Sequence, residues 1–111
     1  AIRKSRGQGR IVNVAAKPAL VPMGGLAAYA ASKAVVASLT TSLSEELADE
    51  RIWVNAIAPS VIDTPTNRQA MPDADHDAWP KPAELAQTIA QLASLDNAVA
   101  RGAVVPVYGR S

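Results

Sequence analysis

Apolar positions along the chain form two kinds of pattern, and the first is a set of three short runs. They are RIVNVAA (10–16), RIWVNAIAP (51–59) and GAVVPVYG (102–109). Short apolar runs that are rich in β-branched residues are typical of strands buried on both faces. Pro106 lies inside the third run and predicts a strand near the edge of a sheet, because proline donates no ladder hydrogen bond.

The second pattern is helical periodicity between these runs. Residues 26–49 predict a long helix, and residues 83–95 predict a shorter amphipathic helix. In the long helix, large apolar residues recur every three or four positions and predict a core-facing stripe of Val36, Leu39, Leu43 and Leu47. Buried strands that alternate with helices indicate an α/β fold, a Rossmann-like doubly wound parallel sheet with helices on both faces.

The number of strands limits this interpretation. A doubly wound sheet has about five or six strands, whereas the sequence predicts three. We therefore interpret residues 1–111 as the C-terminal half of a single domain. Further strands would pair along the edge of the strand predicted at 10–16.

A proline-rich segment, 60–82, separates the second strand from the shorter helix. It contains four prolines and no periodic apolar pattern. Long irregular segments inside compact domains are usually either functional lids or disordered. We predict that this segment is a substrate lid.

Composition narrows the function classes. The formal net charge is +1 and cysteine is absent, which suggests neither a nucleic-acid nor a membrane partner and excludes disulfides and thiol chemistry. We expect a cytoplasmic protein that binds a small molecule. Four basic residues crowd the start of the chain, and we favour a solvated helix end over a binding patch for them. They are Arg3, Lys4, Arg6 and Arg10.

Tyr29 and Lys33 are the first candidates for chemistry. Residues four apart on a helix lie on one face, and a nearby ammonium favours the phenolate form of a tyrosine. Such a pair can act as a general acid or base. On spacing alone, an exposed pair without catalytic function is equally compatible with the pattern and more common.

The order of three motifs favours the catalytic interpretation. NVAA (13–16), YAASK (29–33) and NAIAPSVIDT (55–64) follow one another along the chain. This order resembles the short-chain dehydrogenase/reductase family over nearly the whole sequence. The resemblance implies a nicotinamide-dependent oxidoreductase that uses NAD or NADP, and a homodimer or homotetramer formed through the helix at 26–49.

The resemblance also implies roles for individual residues. Tyr29 would be the acid/base, and Lys33 would assist it and hold the nicotinamide ribose. Pro59, Ile62 and Thr64 match the segment that holds the nicotinamide, with the main chain of Ile62 and the hydroxyl of Thr64 as its polar groups. The alternative for Thr64 is a helix start before Pro65.

Ala16 departs from the family pattern, because it stands thirteen residues before Tyr29, where the family has its catalytic serine. Ala16 would therefore face the substrate without a hydroxyl. Ser60 is a second departure, since the family usually has glycine there. The 63–79 segment, DTPTNRQAMPDADHDAW, together with AKPAL (16–20), is similar to quinonoid dihydropteridine reductase-like members, which also lack the serine.

Trp79 has two possible roles, stacking on the substrate or anchoring the lid to the body of the protein. His76 stands among aspartates, but one histidine in such a segment favours a solvated loop, and we predict no metal site. Arg68 could bind an anion, although an ion pair with Asp63 is favoured. Trp53 is interpreted as core or helix packing, and Asn13 and Asn55 as side chains that bond the main chain.

Two other functions stay open at this point. The chain could reduce ketones or oxidise alcohols within the same family. It could also be a catalytically silent fragment or pseudoenzyme that serves as a dimerisation module, because neither G-x-x-x-G-x-G nor G-x-G-x-x-G occurs in it. The mass of the intact protein would separate an enzyme from a silent fragment.

Overall fold

The protein, seen in a computed structural model that describes residues 8–111, is built on a parallel sheet. Its strands are β1 (Gly9–Val14), β2 (Ile52–Pro59) and β3 (Val104–Val107), in the spatial order β1-β2-β3. Both pairs are parallel, with Val14 opposite Ile57 and Pro59 opposite Val107. The prediction that Pro106 lies on an edge strand is confirmed, since β3 pairs only with β2 among the described strands.

The helices cover the two faces of this sheet. They are α1 (Ala27–Leu47), α2 (Pro65–Ala70) and α3 (Pro82–Ala93), and short 3₁₀ turns lie at Lys17–Ala19, Ala48–Glu50 and His76–Ala78. Arg10 and Asn13 are three residues apart on β1 and therefore point to opposite faces. Arg10 Nη2 donates to Asn97 O beyond α3 at 2.7 Å, and Asn13 Nδ2 donates to Thr40 Oγ1 on α1 at 3.1 Å. The predicted Rossmann-like α/β fold is confirmed.

The centre of the core is β2. Val54, Ala56, Ile57 and Ala58 are each 0% exposed, because β2 is paired on both edges and covered on both faces. Burial of this kind explains why its sequence is a continuous apolar run rather than an alternating one.

The predicted core-facing stripe of α1 is wrong in detail. Leu39 is 52% exposed, and the residues of α1 that are buried are Thr40 and Ser44. A Cβ added at Gly102 would lie 3.1 Å from Ser44 Oγ, so the chain passes too close to α1 there for a large side chain. The buried hydroxyls have partners, since Thr40 Oγ1 donates to Val36 O at 2.8 Å and Ser44 Oγ accepts from Arg101 Nη1 at 3.2 Å.

The two asparagines behave differently. Asn55 is 0% exposed, donates to Ala100 O and accepts from Ala103 N, each at 3.0 Å, which confirms the predicted main-chain role. The same prediction for Asn13 is wrong, because its amide donates to the Thr40 hydroxyl. The β1 position brings Asn13 beneath α1, where a buried hydroxyl needs a partner.

The start of the chain is only partly described. Residues 1–7, with the basic cluster of Arg3, Lys4 and Arg6, lie outside the described residues. Arg10 belongs to β1 rather than to a helix end, and its guanidinium lies 5.3 Å from the ring centroid of Trp53, which is half-buried. Within residues 8–111, no helix has the length and apolar character needed to span a membrane.

Candidate active site

A cleft of about 490 Å³ opens at the carboxyl ends of the strands. Ligands of open α/β sheets usually bind at this end. The cleft is lined by the end of β1, the residues that follow β2 and the first turns of α1, and these include Ala16, Tyr29, Lys33, Pro59 and Ile62. The structure therefore brings together five of the seven site residues predicted from sequence.

Tyr29 and Lys33 lie one turn apart at the start of α1. The ammonium nitrogen of Lys33 is 5.9 Å from the ring centroid of Tyr29 and donates to Val14 O, at the end of β1, at 3.4 Å. Tyr29 is 48% exposed. A phenol that is open to the cleft and close to an ammonium has the geometry that a proton donor needs.

Ala16 is 6% exposed and lies between β1 and the Lys17–Ala19 turn. The backbone N–H of Ala19 donates to Ala16 O at 2.9 Å and closes this turn. No hydroxyl is available at this position of the cleft. Ser60 does bring a hydroxyl to the lining, but its Oγ donates to Tyr108 O at 3.2 Å and contacts Ser111 Oγ at 2.6 Å. The Ser60 hydroxyl is thus hydrogen-bonded to the segment after β3.

The segment after β2 is organised by Asn67. Its side-chain amide donates to Ile62 O at 2.8 Å, and its backbone N–H donates to Thr64 Oγ1 at 3.2 Å. Thr64 is the N-cap of α2 and does not line the cleft. The helix-start interpretation of Thr64 is confirmed, and its contact with nicotinamide stays a prediction. Among the described residues, Ile62 N–H makes no backbone hydrogen bond.

Trp79 is 6% exposed and does not line the cleft. A Cβ added at Gly109 would lie 2.8 Å from Ala78 O and 3.5 Å from the Trp79 carbonyl carbon, and Arg110 N donates to Ala78 O at 2.9 Å. These contacts join the end of the 60–82 segment to the residues after β3. They support the anchoring role of Trp79, and stacking on a substrate stays a prediction.

The sequence predicts an irregular 60–82 segment, whereas the structure has a short helix, α2, and a 3₁₀ turn at His76–Ala78 within it. The predicted pair of Arg68 and Asp63 is confirmed, with Nε–Oδ1 at 2.6 Å and Nη2–Oδ2 at 2.9 Å. This bidentate hydrogen bonding lowers the pKa of the Asp63 carboxyl below its ordinary value. His76 Nε2 lies 2.7 Å from Met71 O, and residues 8–111 contain no group of three or more side chains able to hold a metal ion.

Lys17, Asn67 and Met71 are among the residues of the cleft that sequence reasoning did not assign to the site. Asn67 and Met71 reach the cleft because α2 folds back toward it, and the pattern of the 60–82 segment gave no sign of that helix except Thr64 before Pro65. For Lys17 the only available signal was its place next to Ala16.

Comparisons with known proteins agree with this arrangement. The profile described as short chain dehydrogenase matches residues 2–75. A 3-oxoacyl-(acyl-carrier-protein) reductase of Thermotoga maritima is 37% identical over 109 residues, which cover 91% of this chain and 44% of the reductase. The chain thus spans less than half the length of this relative.

Solved structures give the same result. The structure described as ElxO with NADP bound has a TM-score of 0.86 at 27% identity, over 97% of this chain and 48% of that one. Acetoin dehydrogenase from Enterobacter cloacae has a TM-score of 0.83 at 32% identity, over 97% of this chain and 44% of that one.

Proposed function

The chain belongs to the short-chain dehydrogenase family, and from this premise we propose that it carries the catalytic half of a nicotinamide-dependent oxidoreductase. The single observation that carries the proposal is Tyr29, exposed in the cleft beside Lys33. The reaction is the reduction of an electrophilic carbonyl or imine centre, in which Tyr29 supplies the proton.

The described residues fit the nicotinamide end of NAD or NADP. An ammonium has three N–H donors, and Lys33 uses one of them on Val14 O, which leaves others for a ribose hydroxyl. Ile62 N–H is without a backbone partner among the described residues and lines the cleft, so it can donate to a carboxamide. Pro59 borders the same space. When bound, the cofactor supplies the hydride.

Tyr29 gives its proton to the atom of the substrate that gains negative charge as hydride arrives. The Lys33 ammonium lies near the phenol ring and stabilises the phenolate that is left. Tyr29 and Lys33 both line the cleft at the carboxyl end of the sheet, which supports these proposed roles.

A quinonoid dihydropterin is the substrate that we propose. Its conjugated imine-like ring accepts hydride without a serine to polarise it, which fits Ala16, and the 63–79 sequence pattern supports the same choice. A ketone is the second candidate. The identity with a 3-oxoacyl-(acyl-carrier-protein) reductase and the likeness to acetoin dehydrogenase favour it.

Oligomer formation through α1 is also part of the proposal. Val35 is 57% exposed and Leu39 is 52% exposed on this helix, and apolar side chains of this kind suit a contact with a second copy. We propose a homodimer or homotetramer in the cytoplasm. Sedimentation velocity of the intact protein would contradict this if it gave a monomer at micromolar concentration.

Replacing Lys33 by alanine should weaken both turnover and cofactor binding, because one ammonium serves the phenol and the ribose. Loss of a hydrogen bond from a charged donor corresponds to about tenfold to hundredfold in each quantity. Steady-state kinetics and calorimetric titration with cofactor measure the two effects on the intact protein. Lys81→Ala, at an exposed lysine outside the cleft, is the matched control, and an unchanged Lys33→Ala variant would contradict the assignment.

A further inference from the structure

Lys17 places a positive charge in the cleft that the proposed reaction does not use. Among residues 8–111, those that line the cleft supply two ammonium groups, from Lys17 and Lys33, and no aspartate or glutamate side chain. Nearby carboxylates face other partners, since Asp63 pairs with Arg68 and Asp75 lies 3.8 Å from the guanidinium of Arg110. The cleft is therefore a cationic site, and a substrate with negative charge is favoured in it.

The position of Lys17 is fixed by its surroundings. It begins the Lys17–Ala19 turn and precedes Pro18, whose ring restricts the backbone. Its ammonium lies 4.8 Å from the ring centroid of Tyr108 and donates to Ser111 O at 3.3 Å. These contacts occupy one of three N–H donors and one side of the cation. They leave Lys17 able to bind an anion.

Apolar residues form much of the remaining lining of the cleft. Met23 is 47% exposed, Met71 is 45% exposed and Leu26 is 38% exposed, and all three line the cleft. A ligand that fits this lining has an apolar body and one polar end. Bidentate recognition of phosphate commonly uses arginine, and no arginine is among the described residues that line the cleft, so we take a carboxylate as the anion.

Resting on the proposed function, we propose that Lys17 is a substrate-binding residue that selects acceptors carrying a carboxylate. The carboxylate binds the Lys17 ammonium while the electrophilic centre lies at Tyr29, and this applies to a keto acid or to a dihydropterin whose side chain carries a carboxylate. In the proposed function Lys33 serves the phenol and the cofactor ribose, so Lys17 is the lysine of the cleft that is left for this task. Lys17 stands next to Ala16, so it lies beside the position from which the family serine is missing.

The test compares acetoacetate with its uncharged methyl ester. Equilibrium binding of each is measured by calorimetry on the intact protein with oxidised cofactor bound, so that no turnover occurs. We expect tighter binding of acetoacetate, and a preference that falls as salt is added. Lys17→Met should weaken acetoacetate binding about tenfold to hundredfold and leave the ester unchanged. Lys17→Arg should retain the preference, and Lys81→Met should behave as the unaltered protein.

Three binding results would overturn the inference. Equal binding of acid and ester, or a preference that salt does not reduce, would show that the cleft does not select an anion, and neither result needs a variant to fold. Equal losses for acid and ester in Lys17→Met would assign Lys17 a structural role. If the preference and its dependence on Lys17 are present but no acceptor is reduced, the inference about binding stands and the proposed reaction is wrong.

Discussion

Tyr29→Phe is expected to lower kcat/KM by about 10²–10⁴, which is the usual contribution of general acid catalysis. The substitution removes the proton donor and keeps the aromatic ring. Tyr29 is 48% exposed, and Lys33 Nζ lies 5.9 Å from the centroid of its ring. The free energy of unfolding should therefore change by no more than about 0.5 kcal/mol, and cofactor affinity should be kept.

The measurement is steady-state reduction by the intact protein, together with thermal unfolding and cofactor titration of the same preparation. These two controls separate a chemical effect from misfolding. Turnover within about tenfold of the unaltered protein would remove Tyr29 from the chemistry. A large loss that is accompanied by a lower melting temperature would point to packing instead.

Ala16→Ser is expected to raise ketone reduction by about 10²–10³, since a single oxyanion donor usually contributes that much. Ala16 lines the cleft that holds Tyr29, so a hydroxyl there can donate to a substrate carbonyl. Reduction of a quinonoid dihydropterin should stay flat or fall slightly, because its ring accepts hydride with Tyr29 as the only protein acid.

The comparison requires kcat/KM for both substrate classes in both proteins. Ala19→Ser, in the adjacent turn and outside the cleft lining, is the matched control and should change neither value. Efficient ketone reduction by the unaltered protein without any dihydropterin activity would reject the pterin proposal and keep the family assignment. Lack of both activities would favour the silent dimerisation module.

The sheet and its helices could be predicted from sequence because buried strands are apolar runs and half-buried helices have a periodic apolar pattern. The run around Ile57 is apolar at almost every position since β2 is covered on both faces. The buried face of α1 could not be predicted in the same way. The chain at Gly102 passes so close to α1 that a small residue, Ser44, is buried there. A pattern of apolar positions cannot reveal buried residues that are polar.

Some residues of the candidate site could be predicted from sequence and others could not. Tyr29, Lys33 and Ala16 were predictable, because their spacing is local and the order of the surrounding motifs is specific. Lys17 and Asn67 were not, because they reach the cleft through a turn and a short helix whose directions depend on tertiary contacts. Thr64 carried a local signal for a helix start, and its hydroxyl caps α2 as that signal indicated.

The central claim is that this cleft places a substrate between a nicotinamide and Tyr29. The most direct measurement is a single turnover of the intact protein with NADH or NADPH deuterated at the transferable position. Quinonoid dihydropterin and acetoacetate serve as acceptors, and cofactor oxidation is followed by absorbance for both. Only the acetoacetate product is also analysed by mass spectrometry, because hydrogen added to a dihydropterin lies on nitrogen and exchanges with water. We predict that at least one acceptor oxidises the cofactor, that any hydroxy acid formed carries one deuterium, and that Tyr29→Phe slows the turnover by about 10²–10⁴. No cofactor oxidation with either acceptor, or oxidation that is equally fast in Tyr29→Phe, would contradict the account.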